Sequence, residues 1–260
     1  MTAAAPEPTA PGLLDHGLIE GLGTPEAAWA AWPALAELPR VAPTDLVASG
    51  SRLVVLAPHP DDETLGAGGL LAALAAAGRR VAVVAVTDGT GSHPGSTTWT
   101  PARLAATRPA EQVGALGALG VDPPVARLGL PDTAVRAGAV AAALAPLLEP
   151  GDTLLSTWRS DGHPDHEACG QAAARLAAER GLALLEVPVW TWHWASPGDP
   201  RVPWRRAVRV DTDAHLQQRK LSAIGCFPSQ TEHDDALALG SVLPAEVLAR
   251  LTRHFEVVLR

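Results

Sequence analysis

From Arg52 onward, short runs of uninterrupted apolar residues alternate with longer segments in which apolar residues recur every three or four positions. The runs LVVLA (53–57) and VAVVAV (81–86) have no polar face, as expected of strands covered on both sides in a parallel sheet. Further strands are predicted at 125–128, 152–157, 184–194 and 255–259. Helical spacing predicts helices over 64–77, 100–119, 135–148, 166–179, 213–224 and 244–251. Thr24-Pro25-Glu26 is a cap, first-turn proline and early acid, and Trp29, Trp32 and Leu35 follow at helical spacing, which predicts an N-terminal helix. Residues 1–12, rich in Pro and Ala, read as a tail. Strands alternating with helices of this length mean βαβ units and an α/β fold: a mostly parallel sheet with helices on both faces. The expected organisation is a tail and helix over 1–45 and a single domain over 46–260.

Composition narrows the function. The 260 residues are 47% hydrophobic and 18% charged, which excludes a largely disordered chain. The charge-free stretch 64–78 is too short and too rich in glycine for a bilayer span. A net charge of −8 argues against sequence-independent nucleic-acid binding and against docking on anionic membranes. Two cysteines do not make a disulfide scaffold, and no basic residue precedes Arg40, so a reduced, cytoplasmic chain is expected. Homo-oligomerisation is left open.

Two polar clusters follow predicted strands, where sites of open α/β sheets collect. The first is Pro58-His59-Pro60-Asp61-Asp62-Glu63, and the second is Ser160-Asp161-Gly162-His163-Pro164-Asp165-His166. Each alone also reads as a polar helix start or a solvated turn. Occurring together at two strand ends, they suit a catalytic zinc set of two histidines and a carboxylate with one position open.

These paired motifs resemble those of the PIG-L/LmbE-type zinc-dependent N-deacetylases, and the likeness extends over about 52–230. The resemblance implies a Rossmann-like three-layer αβα fold and removal of an N-acetyl group from an N-acetylglucosamine-type sugar or glycoconjugate. It implies that His59, Asp62 and His166 bind Zn2+, with Fe2+ the alternative. It makes Asp61 the general base, His163 a protonated group that stabilises the oxyanion, and Asp165 a partner that orients one of the histidines. Arg108, in Arg108-Pro109-Ala110-Glu111, and Asp132, in Leu130-Pro131-Asp132, match substrate-binding positions. Their replacement by alanine would mainly raise KM. Lys220 with Ser229-Gln230 resembles a structural signature. The chain has no tyrosine, so the tyrosine-assisted carbonyl polarisation of some relatives is excluded.

Other features carry less. Trp190, Trp192 and Trp194 alternate as on one strand face and read as core, or as a stacking platform for a sugar. Cys169 reads as a small buried residue, and Gly66-Ala67-Gly68-Gly69 as glycines for close helix–sheet packing rather than a phosphate loop. Two alternatives stand beside the deacetylase: an amidase acting on a cysteinyl-glucosamine conjugate, and a non-catalytic nucleotide-binding module.

Overall fold

The computed structural model describes residues 19–260, and the tail expected at 1–12 lies outside them. Strands β1 (Arg52–Ala57), β2 (Arg80–Ala85), β3 (Val125–Arg127), β4 (Thr153–Thr157), β5 (Ala183–Val187), β6 (Ala207–Asp211) and β7 (Phe255–Leu259) form one sheet. Their order is β3-β2-β1-β4-β5-β7-β6. Strands β1 to β5 pair in parallel, and β7 runs antiparallel to both β5 and β6. The order reverses between β1 and β4, and that switch point opens a crevice at their carboxyl ends.

Successive side chains of β1 leave by opposite faces. Leu53 and Val55 join a core with Leu70 and Leu74 of α4 (Asp62–Ala76) and Leu116 and Leu119 of α5 (Pro101–Leu119). Val54 and Leu56 join a second core with Val140 and Leu144 of α6 (Ala137–Leu144) and Leu176 of α7 (Pro164–Arg180). The result is the expected three-layer α/β arrangement. Gly66 and Gly69 let α4 sit close to its neighbours: a Cβ on Gly66 would stand 2.7 Å from Val187 Cγ2, and one on Gly69 would collide with Thr212. No helix among the described residues is long and apolar enough to cross a membrane.

Several expectations change. The strand foreseen over 184–194 ends at Val187, and the chain turns into a short helix, α8 (Thr191–Trp194). The three tryptophans therefore do not form a strand stripe. The helix foreseen over 135–148 ends as α6 at Leu144, and a 3-10 turn containing Pro146 follows. The single N-terminal helix is two short ones, α1 (Glu26–Ala30) and α2 (Pro33–Ala36), because Pro33 has no N–H to continue the first. Thr24 does not cap α1; its hydroxyl donates instead to Ala195 O (2.7 Å). Strand β6 was not foreseen. In its AVRVD sequence two of five residues are charged; Val208 and Val210 join one core and Ala207 another.

The N-terminal helices pack on the body through a third apolar cluster. Trp29 is fully buried, with its ring 5.0 Å from that of Trp192 and 5.9 Å from that of Trp204, and its indole N–H donates to Trp192 O (3.0 Å). Trp29→Ala would remove this ring and strand the Trp192 carbonyl. The expected loss of stability is about 3–5 kcal/mol, read from chemical denaturation.

Candidate active site

Every sequence-predicted site residue lies at or near the carboxyl ends of β1 to β4. His59, Asp61 and Asp62 form the turn from β1 into α4, and His163, Asp165 and His166 open α7 after β4. Asp132 stands in the loop after β3, and Arg108 on α5.

His59, Asp62 and His166 each offer a ligand atom, and these atoms lie within 4.8 Å of one another. Asp62 Oδ2 is 3.2 Å from His59 Nδ1 and 3.2 Å from His166 Nε2. His166 Nε2 is buried and makes no hydrogen bond, which is the mark of a nitrogen waiting for a ligand. The outward nitrogens of both rings rest on carboxylates. His59 Nε2 is 3.0 Å from Asp132 Oδ1 and 3.3 Å from Asp165 Oδ2, while His166 Nδ1 is 2.8 Å from Asp161 Oδ2. Carboxylate–histidine pairs of this kind set the tautomer and aim the free nitrogen at a cation. A second group, His59, His163 and Asp165, also falls within 4.8 Å. There, Asp165 already accepts the N–H groups of Thr133 (2.8 Å) and Val135 (3.1 Å), and His163 Nδ1 accepts that of Asp165 (3.2 Å). The first set is the one with donors to spare, and two imidazoles with one carboxylate suit zinc or ferrous iron.

The electrostatics agree. Burial opposes protonation of His166, but the carboxylates of Asp62 and Asp161 outweigh it and push the ring up to about 9. His59 is likewise driven upward, against burial, by Asp132, Asp165 and Asp62. A field that holds protons on two buried imidazoles is one that favours a divalent cation in their place.

Arg108 and Asp132, expected at substrate-binding positions, both line the cavity and also hold neighbouring side chains. Arg108 is buried, and its Nη2 donates to Asp61 Oδ2 (2.8 Å) and to Pro60 O (3.2 Å), with Nη1 on Gly89 O (3.0 Å). It therefore holds Asp61 at the edge of the cavity that both residues line. Asp132 is tied to His59 and to Gly91 N (2.6 Å). Asp165 orients a histidine, as expected, but it is His59 across the site. The partner of His166 is Asp161, a member of the second polar cluster to which the resemblance gives no role; an acid five residues before a candidate ligand histidine was the available signal. Glu63 points away and accepts from Gln112 (3.1 Å).

Asp61 keeps one oxygen, Oδ1, without a partner among the described residues, and it lines the cavity. Burial, only partly offset by Arg108, raises its pKa to about 6. The ring of His163 lies 4.9 Å from those of His59 and His166. Burial, with repulsion from His166 and His59, pushes its pKa down to about 2. Because its Nδ1 accepts a backbone N–H, the ring is neutral and carries its proton on Nε2, not doubly protonated as expected. The cavity, about 730 Å³ with its open mouth, continues past these groups along Trp190, His193 and Gln230.

The assignment predicts one zinc ion bound at equilibrium dialysis, lost in Asp62→Ala. Asp161→Asn would keep the ring's neighbours but reverse a donor, and should weaken zinc by roughly 10–100-fold. An unchanged affinity in Asp161→Asn would show that Asp161 serves the fold alone.

Comparison with known proteins comes to the same place. A family model described as PIG-L: GlcNAc-PI de-N-acetylase matches residues 54–177. No curated protein sequence is significantly similar to the chain. Among solved structures, N,N'-diacetylchitobiose deacetylase from Pyrococcus horikoshii is 23% identical, with a TM-score of 0.55 over 68% of this chain and 69% of that one. A triple mutant of a deacetylase of the teicoplanin biosynthetic pathway is 21% identical, with a TM-score of 0.59 over 80% of this chain and 97% of that one. The 4-carboxy-2-hydroxymuconate hydratase GalB from Pseudomonas putida KT2440 is 17% identical, with a TM-score of 0.52 over 69% of this chain and 80% of that one. The fold thus carries more than one chemistry, but the segment matched by the family model begins within β1 and ends within α7. It contains both halves of the histidine–aspartate cluster, and over this segment the chain is similar to the PIG-L de-N-acetylases.

Proposed function

We propose that the protein is a metal-dependent hydrolase that removes the N-acetyl group from an N-acetylglucosamine-type sugar or glycoconjugate. The observation that carries this reading is Asp61: a buried carboxylate clamped on one oxygen by Arg108, with the other free toward the cavity and beside the His59, Asp62 and His166 set. His59, Asp62 and His166 would hold a divalent cation, which would supply Lewis acidity at the reacting centre.

The chain's own groups account for the remainder. Asp61 Oδ1 takes the proton of the attacking water and passes it to the departing amine, so that amide and water become amine and acetate. The Nε2–H of His163 is placed to donate to the oxyanion, a task that requires a donor and not a full charge. Arg108 holds Asp61 at one angle and favours its ionised form. Trp190 offers an aromatic wall to a sugar ring or an aglycone. The names of the deacetylases of similar fold support an N-acetylated amino sugar, while a cysteinyl-glucosamine amidase would use the same groups.

Amine release from a panel of N-acetylglucosamine derivatives and cysteinyl-glucosamine, with and without chelator, tests the reading. Activity is expected on the former, lost on chelation and restored by zinc. Full activity in metal-stripped protein would refute it. Asp61→Asn should retain zinc and lose turnover by about 10²–10⁴-fold; if it instead loses zinc, Asp61 and Asp62 have exchanged roles. Because Arg108 touches the base, Arg108→Gln should lower kcat by at least about tenfold with zinc retained. An effect confined to KM would return Arg108 to the substrate.

A further inference from the structure

Part of the cavity has chemistry that the deacetylase reading leaves unused. Away from the histidine–aspartate cluster its wall is apolar, built from Leu65, Val189, Trp190, Leu243, Val247 and Leu251. Arg250 is set in this wall, on helix α11 (Ala245–Leu251), with 2% of its surface exposed. Its Nη1 donates to Leu22 O (2.7 Å) and Thr24 O (2.8 Å), and its Nη2 to His193 Nδ1 (3.0 Å). A guanidinium has five N–H donors. Two of them, including that on Nε, find no partner among the described residues.

The charge is also unanswered. No carboxylate among the described residues forms an ion pair with Arg250, and Glu26, whose field reaches it, is held by Arg253. His193 contributes no negative charge, since its Nδ1 accepts from Arg250 while Nε2 faces Glu20 O (3.2 Å). Joining two carbonyls to an imidazole needs only neutral donors. A buried cation is a costly way to do it unless an anion arrives from outside.

We propose that Arg250 is the recognition group for a carboxylate carried on the apolar part of the substrate. The two unused N–H groups can take a planar two-oxygen anion, and the aliphatic and aromatic wall holds the segment that bears it. The proposal rests on the deacetylase reading for the identity of the substrate. Binding of a carboxylate at Arg250 requires no catalysis.

Titration calorimetry of the zinc-loaded protein with hexanoate, hexanol and hexylammonium separates charge from hydrophobicity. Hexanoate should bind at least about tenfold more tightly than hexanol, with hexylammonium weakest. Arg250→Gln should remove that advantage and leave hexanol within about twofold. Acetate controls for a carboxylate held by zinc. Hexanoate no tighter than acetate, or binding that survives Arg250→Gln and vanishes on chelation, would overturn the proposal. Should Arg250→Gln fail to fold, since it also holds residues 22 and 24, the ranking of the probes on the unmodified protein decides, with Val247→Trp as the variant that fills the apolar arm.

N-adipoylglucosamine and the carboxypentyl glycoside of N-acetylglucosamine place the carboxylate on the acyl and the aglycone side. The one hydrolysed with higher kcat/KM than its methyl ester identifies which part of the substrate reaches Arg250. Hexanoate preference without any amide hydrolysis would sink the deacetylase reading and leave the Arg250 site standing. Hydrolysis with no preference among the probes would do the reverse.

Discussion

Asp161 is fully buried, and five donors converge on its two carboxylate oxygens. They are the backbone N–H groups of Val189 (3.0 Å), Trp190 (2.9 Å) and Thr191 (2.9 Å), the Thr191 hydroxyl, and the Nδ1–H of His166. Three consecutive N–H groups can point at one carboxylate only if the chain leaves the extended conformation, and it does so directly after β5. The turn into α8 that results puts Trp192 under Trp29 and brings His193 beside residues 20–24. One buried side chain thus orients a histidine of the candidate metal set and decides how the N-terminal segment docks. Loss of its hydrogen bonds would be felt at both ends.

That constraint explains much of what could and could not be read from sequence. The strands β1, β2 and β4 are buried on both faces, so their identity is local: an apolar run with no polar face. The turn at 188–191 is not local. Val-Pro-Val-Trp-Thr-Trp is rich in strand formers, with Pro188 the one local signal against a strand, and the bend that follows is held by an acid 28 residues earlier in the chain. Strand β6 failed for the opposite reason. Arg209 and Asp211 alternate with its valines, Arg209 lying over the Phe255 ring, in a segment too polar to announce itself.

The site divides in the same way. His59, Asp62 and His166 lie on two short motifs, where three or four residues decide the geometry, and their spacing carried them. The partners of Arg108 and Asp132 depend on how α5 and the loop after β3 are set against β1. Thr133 shows the cost of that setting: it is the one non-glycine residue with positive φ among those described, at 63°, a conformation unfavourable for a β-branched side chain. The strain persists because the Thr133 N–H is held by Asp132 and Asp165, the same two carboxylates that steady His59. No periodicity encodes a left-handed threonine.

Charge is distributed unevenly along the cavity, and this gives it a direction. At the end formed by β1 and β4 stand Asp61, Asp62, Asp132, Asp161 and Asp165, against the single guanidinium of Arg108. Even a divalent cation leaves that end with an excess of negative charge. At the apolar wall the imbalance reverses, with Arg250 unpaired and Arg253 matched by Glu26. If Arg250 receives a carboxylate as proposed, an elongated ligand with an anionic group at one end would be repelled from one region and drawn to the other, and would enter with its neutral amide toward His59 and His166. The residues of the acidic end fall within the segment shared with the family, 54–177, whereas Trp190, His193, Val247 and Arg250 fall outside it. On the proposed function, reaction chemistry and substrate choice would be carried by different stretches of the chain, so that the second could change without disturbing the first.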